Sequence, residues 1–257
     1  MTESELTPER VRELGARLRD LLELHGEAVG VRLLQAGSAR PPEAKPLAQH
    51  RYCQAVMRAR HGEDVLLDAA GIACPAAAAA FGFEPLPAGL ASGQGLVGFG
   101  IVSDPEVGRR IFERMPKLEP GSLEALHVFP LSSARHVPDV VVVEDEVETL
   151  MWILLAYMHA TGGERVESST AVLQAVCADS TIVPYLEHRL NFGYGCYGCR
   201  DATDIDRNET VLGMPGDLLP PIVEHLEVLR QKAMPTSRSK RTLAALEGRA
   251  KRRSTAT

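Results

Sequence analysis

The sequence predicts a single mixed α/β domain. Three observations carry that expectation. Helical and strand-like patterns alternate along the chain. The strand-like segments are short, branched and apolar, as strands covered on both faces are. The chain has 257 residues, of which 45% are hydrophobic and 24% charged, enough to bury a sizeable core without staples. That composition excludes a wholly disordered chain, a collagen and a coiled coil. No apolar run approaches the ~20 residues needed to span a bilayer. The acidic start, Met1-Thr2-Glu3-Ser4-Glu5, has no apolar stretch behind it, so the expected compartment is the cytoplasm.

The elements follow in order. Thr7-Pro8-Glu9 opens a helix with a cap, a proline at its first position and an acid at its positive end. Val11, Leu14, Leu18, Leu21 and Leu22 form its stripe, and Gly26 ends it. Residues 28–34 read as a strand with Val29, Val31 and Leu33 on one face. A loop over 36–46 leads to a helix over 52–60, a strand over 65–67 and an Ala-rich helix entered at Cys74-Pro75. Two prolines and five glycines make 85–100 a loop or mobile cover. Asp104 caps a helix running to about Arg114.

Segments 125–130 and 140–143 are predicted buried strands. A helix over 146–159 is expected to bury Val147, Leu150, Met151, Leu154, Leu155 and Met158. Segment 170–176 fits strand or helix equally. Segment 194–199 reads as a glycine-interrupted turn or strand, followed by a loop at 201–204. A strand at 211–215 leaves the core, and a last helix runs from Gly216 to about Gln231 with Leu218, Ile222, Val223, Leu226 and Leu229 as its stripe. There is no internal repeat. The domain therefore spans residues 1–234.

Residues 235–257 form a basic tail, predicted disordered. It holds seven basic residues against one acid, a net of +6, which leaves −12 for the body of a chain whose total is −6. An acidic body is a poor nucleic-acid surface, so only the tail offers contact to nucleic acid or an acidic partner.

Chemistry concentrates in five cysteines: Cys53, Cys74, Cys177, Cys196 and Cys199. An odd count without a secretion signal argues against a disulfide framework. Cys196 and Cys199 form a Cys-x-x-Cys pair among Gly193, Gly195 and Gly198, where the chain can curl two sulfurs toward one point. Arg200 is placed to supply a cation, and Cys74 precedes a proline, as one cysteine of bacterial ferredoxin runs does. The leading expectation is an iron–sulfur cluster, of the four-iron kind, ligated by Cys74, Cys177, Cys196 and Cys199 with Cys53 in reserve. Three alternatives stay open. A structural zinc site would favour a second close pair, which is absent. A redox or nucleophilic thiol pair usually opens a helix after a strand, which the loop reading of 201–204 disfavours. Plain buried cysteines are the last.

Arg114, Lys117, Asp179 and Arg200 are the candidate catalytic residues: three anion contacts and one carboxyl that could hold a proton near Cys177. Tyr52, Tyr194 and Tyr197 each adjoin a cysteine motif and could shield it from water. Gly93-Gln94-Gly95-Leu96-Val97-Gly98 spells a dinucleotide fingerprint, but no strand precedes it. His127 and His136 read as surface or core residues, not ligands. The expected function is an enzyme acting on a small molecule at the cluster. The alternatives are a metal-free thiol enzyme or a non-catalytic binding protein, with a small molecule or a redox protein as partner.

Six segments in this order resemble a known family. They are Tyr52-Cys53-Gln54-Ala55-Val56, Cys74-Pro75-Ala76-Ala77, Glu113-Arg114-Met115-Pro116-Lys117, Pro138-Asp139-Val140-Val141-Val142, Gln174-Ala175-Val176-Cys177-Ala178-Asp179 and Gly195-Cys196-Tyr197-Gly198-Cys199-Arg200. The set resembles the bacterial and archaeal family called domain of unknown function 169, from about Val29 to Leu229. The resemblance implies that all five cysteines are motif positions. It implies no activity for them.

Overall fold

A computed structural model describes residues 6–238. Helix α1 (Pro8–Leu22) is capped by Thr7, whose hydroxyl accepts from the Arg10 N–H at 3.3 Å. It ends earlier than Gly26, at Glu23 in the left-handed conformation. Strand β1 (Val29–Gln35) is followed by the two-residue β2 (Lys45–Pro46), helix α2 (Tyr52–Arg60), β3 (Val65–Asp68) and α3 (Pro75–Ala80).

The predicted loop over 85–100 instead holds two short helices, α4 (Ala88–Ala91) and α5 (Gln94–Gly98). The glycine pattern there serves close packing. A Cβ on Gly93 would lie 2.5 Å from the Arg109 nitrogen and 2.9 Å from the Gly108 carbonyl carbon, both in α6 (Pro105–Glu113). Asp104 caps α6 through the Glu106 N–H at 2.9 Å.

Next come β4 (Leu123–Pro130), β5 (Val140–Glu146) and α7 (Val147–Ala160). Helix α7 buries a different stripe from the one expected. Leu150, Trp152, Ile153 and Ala156 face inward, whereas Val147, Met151 and Leu155 stand exposed. Nearly every position of α7 is apolar, so periodicity alone does not choose a face.

Segment 170–176 resolves into irregular chain that leads into a π-helix, Ala175–Ile182. All eight of its residues are buried. The Thr181 hydroxyl donates to the Val176 carbonyl five residues back at 2.8 Å, a spacing suited to the wider π turn. After α8 (Val183–Glu187) and β6 (Asn191–Gly193), the predicted turn at 194–199 becomes the entry of a helix, α9 (Tyr197–Ala202). Strand β7 (Glu209–Pro215) and α10 (Leu219–Arg238) complete the fold. Helix α10 continues past Gln231 to Arg238, so the predicted disorder does not begin at residue 235. The rest of the tail lies outside the described residues.

The seven strands form one mixed sheet in the order β2-β3-β4-β1-β5-β7-β6, with only β2 and β3 parallel. Helices cover both faces, so alternate strand residues enter two cores. Val29, Val31, Val140, Val142 and Val211 face α2, α3 and the π-helix. Phe129, Val141, Val143, Leu212 and Met214 face α1, α7 and α10. This is the single α/β domain the alternating pattern predicts.

Candidate functional site

The cysteines arrive from four separate places on one face of the sheet. Cys53 lies in the first turn of α2, and Cys74 caps α3. Cys177 sits in the π-helix. Cys196 is the N-cap of α9 and Cys199 lies in its first turn. All five line one cavity of about 490 Å³. A shared cluster requires the fold to gather thiols scattered in sequence, and the five cysteines do line the same cavity.

The position of the π-helix explains how Cys177 reaches the wall. A Cβ on Gly213 of β7 would lie 2.5 Å from the Ser180 carbonyl carbon, so glycine lets the π-helix press directly on the sheet. On its other side, the Tyr52 phenol meets the Thr181 hydroxyl at 2.9 Å, and the Tyr52 ring packs edge-on against Phe81. Tyr52 is buried in the cavity wall.

The sulfurs of the Cys196–Cys199 pair are crowded. Cys196 and Cys199 Sγ atoms are 2.8 Å apart, and the Cys199 N–H donates to Cys196 Sγ at 3.2 Å. The Cys177 thiol donates to the Gln174 carbonyl at 3.6 Å. The hydrogen bond to Cys199, together with burial, raises the Cys196 thiol. For Cys199 the bond with Cys196 pulls down, but the bond with Cys53 and burial outweigh it and push the thiol up to about 12. Burial raises Cys177, and the nearby Cys74, Cys199 and Cys196 raise it further. None of these three is an activated thiolate, which works against a metal-free nucleophile.

The donor set fits a soft metal: five sulfurs share one cavity, with a backbone N–H already directed at one of them. Among the described residues, no three His, Cys, Asp or Glu side chains are drawn together as a metal-binding group. Cys74, Cys177, Cys196 and Cys199 are the residues that would hold a cluster, and Cys53 lies beside Cys199 on the same wall.

The predicted charged partners are placed differently. Arg200 is not on the cavity wall. Its guanidinium donates to the carbonyls of Tyr194, Asp206 and Glu209 and so clamps the chain around α9. Arg114 and Lys117 are exposed beyond the end of α6, and neither lines the cavity, which that end of the chain reaches through Phe112. Asp179 is also off the wall. It accepts from the Thr170 hydroxyl at 2.7 Å, and burial raises its carboxyl to about 6. Tyr194 is exposed and away from the cavity, whereas Tyr197 reaches its wall from the outside.

The cation that does reach the wall is Arg51, at the N-cap of α2, which donates to the Gly198 carbonyl at 2.9 Å. Sequence reasoning missed it, although it directly precedes the Tyr52-Cys53 motif. The redox-pair alternative also regains ground. Cys196-x-x-Cys199 does open a helix after a strand, because residues 201–202 are helical and not loop.

Glu144 is a second omission. It is buried on the same sheet face, and burial raises its carboxyl to about 7. Beside it Arg60 and Glu209 form a buried ion pair, with one N–O distance of 2.9 Å. His127 is buried and bonds Asp64 at 2.7 Å, while His136 bonds Glu43 at 3.1 Å; neither is on the cavity wall.

Fold and site together define an α/β domain with a cysteine-walled cavity on one face of its sheet. The chain belongs to the domain of unknown function 169 family, described as uncharacterised ArCR, whose pattern matches residues 17–225. An uncharacterized protein of Methanocaldococcus jannaschii is 28% identical over 224 residues, covering 86% of this chain and 95% of the relative. No solved structure matches the chain. No helix among the described residues is long and apolar enough to cross a membrane.

Proposed function

We propose that this protein holds an iron–sulfur cluster at the five-cysteine cavity and acts there on a small molecule. The observation that carries the reading is the convergence of five thiols, separated by up to 146 positions of sequence, on one apolar cavity. Crowded, buried thiols gain most from exchanging protons for a metal cation, since binding releases those protons. A cluster supplies electrons or a Lewis-acidic iron. The chain supplies the rest: sulfur donors, the Cys199 N–H toward Cys196 Sγ, and apolar walls that exclude water. Five reduced cysteines suit the cytoplasm, where thiols are kept reduced.

Anaerobic purification with iron and acid-labile sulfide analysis tests the reading. About three or four irons with matching sulfide are expected. Cys177→Ser and Cys196→Ser should lower both, and Cys53→Ser should spare them. Unchanged metal content in every cysteine variant would overturn the reading, and one zinc without sulfide would replace it with a zinc site.

The placement of Cys196 and Cys199 at a helix start favours a second reading, a dithiol that cycles with a disulfide. Its two electrons and two protons would pass to an external disulfide or redox protein. Loss of two titratable thiols on mild oxidation of metal-free protein, abolished in Cys199→Ser, is its signature.

A further inference from the structure

We infer that the cavity binds a small molecule with an apolar or aromatic body and a negatively charged end, held by Arg51. The inference stands on the cavity walls and not on what the thiols hold. Away from the sulfurs, the lining is apolar: Ala77, Leu90, Leu96, Ile101, Phe112 and Leu173 among others. Leu96 and Phe112 are buried, whereas Phe99 and Tyr197 on the wall are each 69% exposed. Exposed aromatic rings at the edge of an apolar cavity are surface that a ligand would cover. The volume of about 490 Å³ is that of a site for one small organic molecule.

Charge sets the polarity of the ligand. Arg51 is half-buried, and the one hydrogen bond its guanidinium makes among the described residues, to the Gly198 carbonyl, leaves other N–H donors open. It forms no ion pair among the described residues, unlike Arg58 and Arg60 on the same helix. The other charged residue on the wall, Asp201, is exposed, and water screens it more than it screens Arg51. A planar guanidinium with open donors favours a carboxylate.

The test uses three matched probes, 3-phenylpropionate, 3-phenylpropanol and 3-phenylpropylamine, titrated calorimetrically into the full-length protein as purified. The carboxylate should bind about tenfold more tightly than the alcohol, and the amine more weakly still. Arg51→Met should remove that preference and leave alcohol binding within about twofold, while Arg51→Lys keeps part of it. Tyr197→Glu, at an exposed position on the wall, should weaken the carboxylate selectively. Equal affinity for carboxylate and alcohol in the unmodified protein, tighter binding of the amine, or no binding of any probe would overturn the inference. So would an Arg51→Met variant that binds all three as before. Iron and sulfide measured on the same samples report the cluster separately, so either idea can fail without the other.

Discussion

Gly213→Ala should destabilise the protein and disturb the cavity together. The added methyl would lie 2.5 Å from the Ser180 carbonyl carbon and 2.9 Å from its Cα. These are backbone atoms of the π-helix, so no side-chain rotation relieves the clash. The Ser180 carbonyl oxygen is closer still, and clearing it to ordinary contact needs a displacement of roughly 1.5 Å, in a helix whose eight residues are all buried. Overpacking of this kind costs about 1–3 kcal/mol, and a backbone clash belongs at the upper end. For a domain of this size, about 3 kcal/mol lowers Tm by roughly 6–12 °C. Urea denaturation measures the loss, and, on the proposed cluster, the iron content of the purified variant should fall as Cys177 shifts. Gly98→Ala is the matched control. It lies in α5 with nothing within 4 Å of the added carbon, and it should be neutral or stabilising by up to about 1 kcal/mol. A Gly213→Ala protein within about 0.5 kcal/mol of the parent would refute the account of how the π-helix sits on the sheet.

Three further outcomes are expected. Arg60→Met strands the buried Glu209 carboxylate without its cation and should cost about 3–5 kcal/mol, read by urea denaturation at pH 7. Burial lets folded Glu144 keep its proton up to about pH 7, while the unfolded chain loses it near 4.5. The folded state thus binds more protons between those values, and stability falls as pH rises through them. Asp179, raised to about 6 by burial, adds to the same fall. Denaturation of Glu144→Gln at pH 4.5 and pH 8 should show the variant gaining on the parent by on the order of 3 kcal/mol across that interval. A constant difference would mean that Glu144 titrates normally. Tyr52→Phe removes the hydrogen bond to Thr181 inside the wall and should cost about 1 kcal/mol by thermal melting, with the cavity intact.

Elements whose local signals agree were legible in the sequence. Residues 52–60 combine good helix formers with an apolar face, and the helix has those bounds. Val29, Val31 and Leu33 alternate, and all three enter the same core. Where signals were degenerate, the sequence was silent. Helix α7 is apolar almost all round, so its inward face is decided by the partners α10 and β7, not by its own period. Segment 170–176 fits strand and helix equally by pattern, and it is neither: most of it is irregular chain, and its end enters a π-helix with a period of its own. In the glycine-rich 85–100 segment, close approach to α6 at Gly93 outweighs poor helix propensity. For the site, residue type announced the thiols, but position along the chain misled about charge. Arg200 adjoins Cys199 in sequence yet turns to backbone carbonyls, whereas Arg51 reaches the Gly198 carbonyl from 147 positions away.

The strand order sets a timetable for the cavity. Strand β7 is the last to leave the ribosome, yet it lies between β5 and β6 and is the only strand that β6 pairs with. Until it inserts, the Cys196–Cys199 turn that opens α9 has no fixed height above the sheet, and the π-helix has no Gly213 on which to rest. A nascent chain thus carries Cys53 and Cys74 as separate groups through most of its synthesis, and Cys177, Cys196 and Cys199 join them late. Any metal they shared would have to arrive after β7 is in place, and a chain cut between residues 199 and 209 would carry all five sulfurs without a place to gather them.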